Sequence, residues 1–458
     1  MAHLYLSAAH RSSGKTTVSI GLCRAFRDRG LRVQPFKKGP DFIDPMWLGL
    51  AAGQPCYNLD FHTMGRAEIS TTFALESAGA DLGLIEGNVG LFDSTDLEGA
   101  NSNASLAKHL GAPVVLVIDC QGMTRGIAPL LLGYLAFDPD LHIGGVVFNK
   151  VGNSRHAANL VRVVEHYTDL PVLGALPRDA SLTIAERHLG LIPSNETEEA
   201  AALIGRIHRW VADSLDLDRL LDLAAGACAP TPADAPTRPR CAGTPVRIGI
   251  ARDAAFGFYY PDDLRALALG GAELVAFSPL HDPAPPAVDG LLLGGGFPEC
   301  WMAELEANRS MREGIADFIG RGGPVYAECG GLMYLCQGLR WGEERRAMVG
   351  VLAAEAQMQP KPQGRGYVNL RETAAFPWPA TGDAGPEVQA HEFHHSVVVS
   401  PDPGWTYAYE VLRGVGIDGR FDGVVQGNLL ASYAHLRDVG GRNWTGRYLA
   451  HVRRCLGE

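Results

Sequence analysis

The sequence predicts an α/β protein built from two doubly wound α/β domains. In both halves of the chain, short apolar runs alternate with segments of helical periodicity. Continuous apolar strands separated by helices are typical of a parallel sheet that is covered on both faces. Between the halves lies a stretch rich in Pro, Ala and Thr, which is typical of a linker between domains.

The composition fits a soluble globular protein. The 458 residues are 46% hydrophobic and 20% charged, and 40 Lys and Arg against 51 Asp and Glu give a net charge of −11. That charge argues against non-specific binding to nucleic acid or to an anionic membrane. No apolar run approaches the ~18 residues of a membrane span, and the first residues lack the pattern of a signal peptide. We therefore expect a cytoplasmic protein with no nucleic-acid or membrane partner.

The linker sets the predicted domain boundaries. Residues 224–244 read AAGACAPTPADAPTRPRCAGT and show no apolar period. We expect a first domain over residues 1–223 and a second over residues 245–458.

The elements follow in chain order. In the first half, the predicted strands and helices are Leu4–Ser7, Thr16–Arg29, Arg32–Phe36, Ala80–Ile85, Ser102–Leu110, Val114–Ile118, Ile127–Phe137, Ile143–Phe148, His156–His166 and Pro171–Leu176. In the second half they are Val246–Ala251, Leu264–Leu269, Glu273–Phe277, Gly290–Leu293, Met302–Ile319 and Val325–Ala327, and the chain becomes strand-rich from about Val349.

A phosphate-binding loop is predicted between the first strand and the first helix. The chain there reads AAHRSSGKTT, which is a Walker A pattern with Ala9 at the position of its first glycine. Backbone N–H groups at a helix N-terminus bind phosphate oxygens, a lysine adds positive charge, and a threonine hydroxyl binds Mg²⁺. A chance GKT on an ordinary loop is the alternative. The expected nucleotide-binding residues are Ser12, Ser13, Gly14, Lys15, Thr16 and Thr17.

Acidic residues follow two other predicted strands of the first half. Asp41 lies in the run KKGPDFIDP after Arg32–Phe36, and Glu86 follows the predicted strand Ala80–Ile85. In doubly wound sheets, ligands bind at the carboxyl ends of the strands. Mg²⁺ takes one or two carboxylates together with nucleotide phosphates, so Thr16, Asp41 and Glu86 form the predicted Mg²⁺ site. Each acid alone is as readily a helix cap or a solvated side chain.

The second half contains a candidate thiol nucleophile. The run PVYAECGGLMYL predicts a strand, a tight turn and a helix, with Cys329 at the turn. A helix N-terminus is expected to lower the pKa of this thiol. The N–H groups of Gly295, Gly296 and Gly330 are candidates for an oxyanion hole. His435, in the run ASYAHL, is the candidate base; the alternatives are a buried structural cysteine and a different histidine, His391 first.

The run HEFHH formally matches the zinc-protease pattern, which requires a helix. It precedes the apolar run SVVV, which predicts a strand instead. On a strand, His391 and His395 would stand roughly 13 Å apart, too far to bind one ion. We therefore expect no zinc site here.

Taken together, these motifs resemble those of the cobyrinate a,c-diamide synthases. The runs SSGKTT, PFKKGPDFIDP, NLDFHTM, LIEGNVGLFDS, LLLGGGFPE, YAECGGLMYL, HEFHHS and ASYAHL occur in the order found in that family. The resemblance implies a dethiobiotin-synthetase-like P-loop domain joined to a class I glutamine amidotransferase domain. It also implies ATP and Mg²⁺ as cofactors, L-glutamine and an acidic tetrapyrrole as substrates, and a homodimer as one candidate assembly.

The resemblance also assigns residues. It implies that Cys329 and His435 form the glutaminase pair. Class I amidotransferases usually carry a glutamate two residues after the histidine, where this chain has Arg437. It implies further that the nucleotide, Mg²⁺ and tetrapyrrole region includes Lys38, Asp41, Phe42, Asp44, Glu86 and Asp93.

The substrate is left open by the sequence. The stretches SAAHRSSGKTT, MWLGLAAGQPCYNLDFHTM and QGMTRGIAPLLLGY are more similar to a branch from sulfur-oxidising bacteria, proposed to amidate sirohaem. Aromatic and cationic residues in the divergent stretches are candidates to contact the ring, with core packing as the alternative for each aromatic: Trp47, Tyr57, Phe61, His62 and Arg125. A hypothesis of another class is a regulatory P-loop ATPase of the MinD type, which leaves Cys329 unexplained.

Overall fold

The computed structural model describes residues 1–187, 190–196, 199–228, 243–379 and 387–458. The chain divides into two compact units, Met1–Pro236 and Thr237–Glu458. The predicted linker 224–244 falls largely outside the described residues. Its first two residues belong to a helix that ends at Ala225.

The first unit is built on a seven-stranded parallel sheet, which confirms the predicted architecture. Its strands are β1 (Ala2–Ala8), β2 (Val33–Lys38), β3 (Tyr57–Leu59), β4 (Leu82–Glu86), β5 (Val114–Asp119), β6 (Ile143–Val151) and β7 (Val172–Pro177), in the order β3-β2-β4-β1-β5-β6-β7. A small antiparallel hairpin consists of β8 (Glu186–Arg187) and β9 (Gly190–Leu191).

Helices join these strands. They are α1 (Lys15–Asp28), α2 (Ile43–Ala52), α3 (Arg66–Glu76), α4 (Asn103–Leu110), α5 (Ile127–Phe137), α6 (Ser154–Tyr167), α7 (Ala200–Ser214) and α8 (Leu217–Ala225), with 3₁₀ turns at Ala180–Leu182 and Ser194–Glu196. Side chains cap several of them: Ser102 accepts the N–H of Ser105 at α4, and Asn153 accepts that of His156 at α6.

The strand order brings the predicted nucleotide and Mg²⁺ residues to one edge of the sheet. Because β1 lies between β4 and β5, and β2 lies beside β4, the loops that follow β1, β2 and β4 leave one sheet edge side by side. These three loops carry the phosphate-loop motif and the predicted acids. Ligands bind at such an edge in doubly wound sheets.

The second unit contains a nine-stranded mixed sheet and a four-stranded sheet. Its strands are β10 (Val246–Ala251), β11 (Phe256–Phe258), β12 (Ala272–Phe277), β13 (Gly290–Leu293), β14 (Gly295–Gly296), β15 (Val325–Glu328), β16 (Cys336–Trp341), β17 (Glu344–Ala347), β18 (Leu352–Met358), β19 (Gly364–Glu372), β20 (Glu387–His394), β21 (Ser396–Val399), β22 (Thr406–Arg413), β23 (Phe421–Gln426) and β24 (Leu429–Ser432). The large sheet has the order β12-β10-β13-β15-β24-β23-β22-β19-β20, and the small one has the order β17-β16-β18-β21.

In the large sheet, the neighbouring strands β12, β10, β13, β15 and β24 pair in parallel. The pairings from β24 through β23, β22 and β19 to β20 are antiparallel. The helices are α9 (Pro261–Leu269), α10 (Met302–Ala307), α11 (Arg309–Gly320), α12 (Gly330–Leu335) and α13 (Trp444–Cys455), with a 3₁₀ turn at Pro298–Trp301. Val325 and Ala327 of β15 enter one core cluster, whereas Tyr326 enters another. This alternation shows that the sheet is covered on both faces.

One predicted helix is interrupted. The apolar pattern predicts a continuous helix over Met302–Ile319, but the structure separates α10 from α11 at Asn308. The Asn308 side chain accepts the N–H of Met311, and its amide donates to the carbonyls of Pro279 and Asp282 at 2.8 and 2.9 Å. The bond that Asn308 accepts from Met311 is an N-cap bond, which favours the start of a new helix at this position.

Across the part of the chain that the structure describes, no helix combines the length and the apolar character needed to cross a membrane.

Candidate functional site

The phosphate loop lies between β1 and α1, as predicted. Gly14 caps α1 with a φ of 83°, a left-handed conformation that favours glycine, and a Cβ there would overlap the Asn149 amide. That amide donates to the carbonyl of Ser13 at 2.8 Å, and Lys150 Nζ donates to the carbonyl of Ser12 at 2.9 Å. Side chains from the end of β6 therefore hold the loop in shape.

A lysine occupies the centre of the predicted magnesium site. Lys37 Nζ lies 2.5 Å from Asp44 Oδ2, 2.7 Å from Glu86 Oε1 and 3.8 Å from Asp41 Oδ2. Sequence reasoning placed Lys38 in this region and missed Lys37. The feature that identifies Lys37 is the pairing of β2 with β4, in which Lys37 stands opposite Glu86.

Charge balance in this cluster shifts several pKa values. Burial lowers the pKa of Lys37, but the carboxylates of Asp44 and Glu86 outweigh burial and hold it well above its usual value. Burial would raise the pKa of Asp44, but Lys37 and the neighbouring Asp41 lower it. The pKa of Asp41 is raised by burial and by Asp44, and that of Lys15 is lowered by burial.

The donor set fits one magnesium ion together with phosphate oxygens. The Thr16 hydroxyl donates to Glu86 Oε1 at 2.9 Å and to Asp44 Oδ2 at 3.4 Å, so these three side chains converge. Glu86 Oε2 is buried and has no hydrogen-bond partner. Among the described residues, no three His, Cys, Asp or Glu side chains are grouped to hold a metal alone. Mg²⁺ commonly completes its coordination with phosphates and water.

The other predicted residues of this region surround the cluster. Asp41 Oδ1 accepts the N–H of Ile43 at 2.8 Å at the start of α2, and Phe42 is buried. Lys38 Nζ lies 3.3 Å from Asn88 Oδ1, and burial lowers the pKa of Lys38 to about 8. Asp93 is exposed and accepts the N–H of Gly90 within its own loop at 2.7 Å.

A cavity of about 710 Å³ opens beside this loop. Its lining includes Arg11 and all six predicted nucleotide-binding residues, together with Asp41, Asp44, Asn149 and Lys150. The volume lies within the range usual for small-molecule sites. Asn149 and Lys150, which sequence reasoning did not select, are marked by their position at the carboxyl end of the buried strand β6.

Two of the divergent aromatic residues pack in the core. Trp47 is 1% exposed and donates from its indole nitrogen to the carbonyl of Ile192 at 2.8 Å, and Tyr57 is also buried. Arg125 is exposed and its guanidinium donates to the Tyr167 hydroxyl at 2.8 Å. For Trp47 and Tyr57, the structure favours core packing over contact with a ring.

The candidate nucleophile occupies a strained turn. Cys329 lies between β15 and α12 with φ 47° and ψ −100°, a backbone conformation that non-glycine residues seldom adopt. A Cβ at Gly331 would overlap the carbonyl of Leu293, and one at Gly330 would lie 3.1 Å from the backbone nitrogen of Gly296. Close backbone contact therefore excludes a side chain at Gly331, whereas a side chain at Gly330 would require its neighbours to shift by a few tenths of an ångström.

Burial reverses the expected pKa shift of this thiol. The Cys329 side chain is buried, and burial raises the pKa, with a further increase from the carboxylate of Glu299. A bond from the Gly330 N–H lowers the pKa but is outweighed. The raised pKa favours the neutral thiol over the thiolate.

The predicted oxyanion residues lie beside the turn. Gly295 and Gly296 form β14, which pairs with β11, and the close approach of Gly330 to Gly296 brings the two glycine segments together. A Cβ at Gly295 would lie 2.6 Å from the His435 ring. The glycine run thus lies between the turn and the candidate base.

His435 is brought to the site by strand pairing. Strand β24, which precedes it, pairs in parallel with β15, and the Cys329 N–H donates to the Ser432 carbonyl at 2.7 Å. His435 Nδ1 lies 3.3 Å from Glu328 Oε2. Its ring stacks on that of His391, with centroids 4.9 Å apart. The sequence analysis did not select Glu328. It could have been noticed as the one charged residue in the strand VYAE.

The first four residues of the run HEFHH lie on a strand, as predicted. His391 to His394 belong to β20, so the helix that a zinc-protease motif requires is absent here. Glu392 accepts the N–H groups of Val415 and Gly416, each at 2.8 Å. His394 Nδ1 lies 2.8 Å from the carbonyl of Ser396. These side chains join backbone segments of the second unit.

Two family models match the chain, one in each unit. Residues 11–192 match the CobQ/CobB/MinD/ParA nucleotide binding domain, and residues 247–439 match the CobB/CobQ-like glutamine amidotransferase domain. The first range contains the phosphate loop and the acids, and the second contains Cys329 and His435.

Three curated relatives are similar over nearly the whole chain, and each carries the name cobyrinate a,c-diamide synthase. The one from Magnetococcus marinus is 48% identical over 96% of this chain and 95% of its own length. Those from Syntrophotalea carbinolica and Methanosarcina acetivorans are 42% and 41% identical, covering 99% and 96% of this chain and 99% and 93% of their own lengths.

Proposed function

Because this chain belongs to the family of cobyrinate a,c-diamide synthases, we propose that it amidates acetate carboxylates of an acidic tetrapyrrole, using ATP and L-glutamine. The observation that carries the proposal is the presence of two separate sites on one chain. One is a phosphate loop with a buried Lys37 and carboxylate cluster, and the other is the Cys329 turn beside His435.

In the first unit, the substrate carboxylate attacks the γ-phosphorus of ATP, ADP leaves, and an acyl phosphate forms. Lys15 and the backbone N–H groups of the loop stabilise charge on the phosphate oxygens. Mg²⁺, when bound, neutralises phosphate charge; Thr16 and Glu86 would hold it, with Asp44 and Asp41 nearby. Lys37 lowers the pKa of Asp44, which favours the ionised form of that carboxylate.

In the second unit, Cys329 Sγ attacks the side-chain carbonyl of glutamine while its proton passes to His435. The N–H groups of the glycine segments receive the oxyanion, the C–N bond breaks and ammonia leaves. Water then hydrolyses the thioester to glutamate. Ammonia displaces phosphate from the acyl phosphate, and the amide forms.

The second unit also decides between an enzyme and a regulatory ATPase. The family model of the first unit covers MinD and ParA proteins as well. A regulatory ATPase has no use for a glutamine amidotransferase domain, and residues 247–439 match one.

Incubation with each ring separately tests the proposal. The protein is mixed with MgATP, glutamine and either cobyrinate, hydrogenobyrinate, sirohaem or nickel-sirohydrochlorin, and amides are counted by mass. We expect two amides on cobyrinate. Amidation of sirohaem alone would assign the chain to the other branch, and no product from any ring would overturn the proposal.

Two substitutions separate the half-reactions. Cys329→Ser should abolish the use of glutamine but keep amidation with added ammonia, because only the nitrogen source is lost. Lys15→Ala should remove amidation with both donors. Loss of ammonia-dependent amidation in a folded Cys329→Ser protein would contradict this division of labour.

A further inference from the structure

A buried carboxylate beside the His435 ring comes from the residue just before the nucleophile. Glu328 Oε2 lies 3.3 Å from His435 Nδ1, and both side chains are buried. We propose that Glu328 is the positioning residue that orients His435 for glutamine hydrolysis, in the role that class I amidotransferases give to an acid two residues after the histidine. The inference rests on the proposed function, since it concerns the same glutaminase site.

The position two residues after the histidine serves a different purpose here. The guanidinium of Arg437 pairs with Asp262 at 2.9 Å and lies over the Tyr260 ring, 5.0 Å from its centroid. Arg437 is buried together with Asp262, whose carboxylate balances its charge. A guanidinium has no lone pair with which to accept the Nδ1–H of His435.

Glu328 is itself fixed on its other oxygen. Oε1 accepts the N–H of Leu436 at 2.9 Å and the Tyr326 hydroxyl at 2.5 Å. Because Leu436 directly follows His435, one carboxylate holds both the backbone and the ring of the base. With Oε1 committed to two donors, Oε2 remains to accept from the ring.

This arrangement determines where the imidazole carries its proton. A carboxylate at Nδ1 favours the tautomer with hydrogen on Nδ1, which leaves the lone pair on Nε2. Nε2 can then accept the proton of Cys329 as the S–C bond forms and deliver it to the departing nitrogen as the C–N bond breaks. The Glu328 carboxyl group, 3.3 Å from Nδ1, stabilises the imidazolium that forms. Because burial raises the pKa of Cys329, the thiol depends on this base.

Glu328→Gln is the most direct test. The glutamine carbonyl must take the place of Oε1, since Leu436 and Tyr326 both donate there. Its amide NH₂ then faces Nδ1 and stabilises the opposite tautomer, with hydrogen on Nε2. We expect the kcat for glutamine hydrolysis to fall about 10²–10⁴-fold while KM changes less than about threefold, as when an orienting aspartate becomes asparagine.

Glu392→Gln is the matched control. Glu392 is another buried glutamate of the same unit, and both its oxygens accept backbone N–H groups. This substitution should lower the melting temperature but leave kcat within about threefold of the wild-type value. If kcat decreased in proportion to the loss of melting temperature, and by the same proportion in both variants, Glu328 would have a purely structural role. That result would overturn the inference.

The remaining outcomes are distinguishable. If the wild-type chain hydrolyses glutamine and Glu328→Gln hydrolyses it equally fast, the inference fails and the proposed function stands. If the wild-type chain hydrolyses no glutamine, the proposed function fails and the inference with it. Ammonia-dependent amidation, measured in every variant, reports whether the first unit remains intact.

Discussion

At the scale of single residues, the two sites treat ionisable groups in opposite ways. Lys37 is buried among carboxylates that keep it charged, whereas Cys329 is buried in surroundings that keep it neutral. In the first site, Lys37 therefore balances part of the negative charge of the carboxylates around it. The second offers a thiol that reacts only when a base removes its proton.

The pH dependence of thiol reactivity follows from this difference. Because burial raises the pKa of Cys329, the thiolate fraction is small at neutral pH and increases as the pH rises. We expect alkylation of Cys329 by iodoacetamide, without glutamine, to accelerate about tenfold per pH unit from about pH 7 to 9. Peptide mass spectrometry measures it. A rate that is already constant above about pH 7 would contradict a raised pKa.

The candidate site residues that the sequence predicts lie in local motifs. Gly14 and Lys15, Cys329 and Gly330 each lie in a contiguous pattern whose geometry the pattern itself dictates. Lys37 and Glu328 were not predicted as site residues. Each interacts with a residue on or after a neighbouring strand, Glu86 for Lys37 and His435 for Glu328. A one-dimensional pattern does not contain such partners.

At the scale of elements, the turn between β15 and α12 depends on contact with the strand beside it. Gly331→Ala would place a methyl group against the carbonyl of Leu293, which is backbone and cannot rotate away. We expect a loss of about 1–3 kcal/mol in the stability of the second unit, together with reduced glutaminase activity. Thermal unfolding and glutamate release measure the two effects.

Gly320→Ala is the control for this substitution. Gly320 lies at the end of α11, and a Cβ there meets nothing within 4 Å. Alanine also has the higher helix propensity, so stability should be kept or raised. Equal destabilisation by both substitutions would show that the turn is not specifically constrained.

Element boundaries show the same limit of sequence reasoning. Strand β10 and helix α5 have the bounds that their apolar patterns predict. The predicted helix over Met302–Ile319 is divided because Asn308 bonds to Pro279 and Asp282, which belong to another segment. Apolar periodicity indicates which residues are buried. It does not indicate that an asparagine will bond to carbonyl groups distant in sequence and begin a new helix.

At the scale of the whole molecule, the two compact units should unfold as separable transitions. Each has its own sheets and its own site, and only the first contains the phosphate loop. At about 100 times its Kd, MgATP should raise one transition by about 5–10 °C and leave the other unchanged. Differential scanning calorimetry measures both. Lys15→Ala should abolish the shift, and a MgATP-induced shift of both transitions would contradict the assignment.

The parallel pairing of β15 with β24 has a consequence for synthesis on the ribosome. Between these neighbours in the sheet, the chain forms β16 to β23, so β15 emerges long before its partner. Until β24 arrives, one side of β15 presents unpaired backbone groups, the kind of open edge on which nascent chains aggregate. Because β24 also brings His435, the nascent chain has its thiol well before its base. Under the proposed mechanism, glutamine hydrolysis thus begins only when nearly the whole second unit has been made, and we expect incomplete chains to release no ammonia.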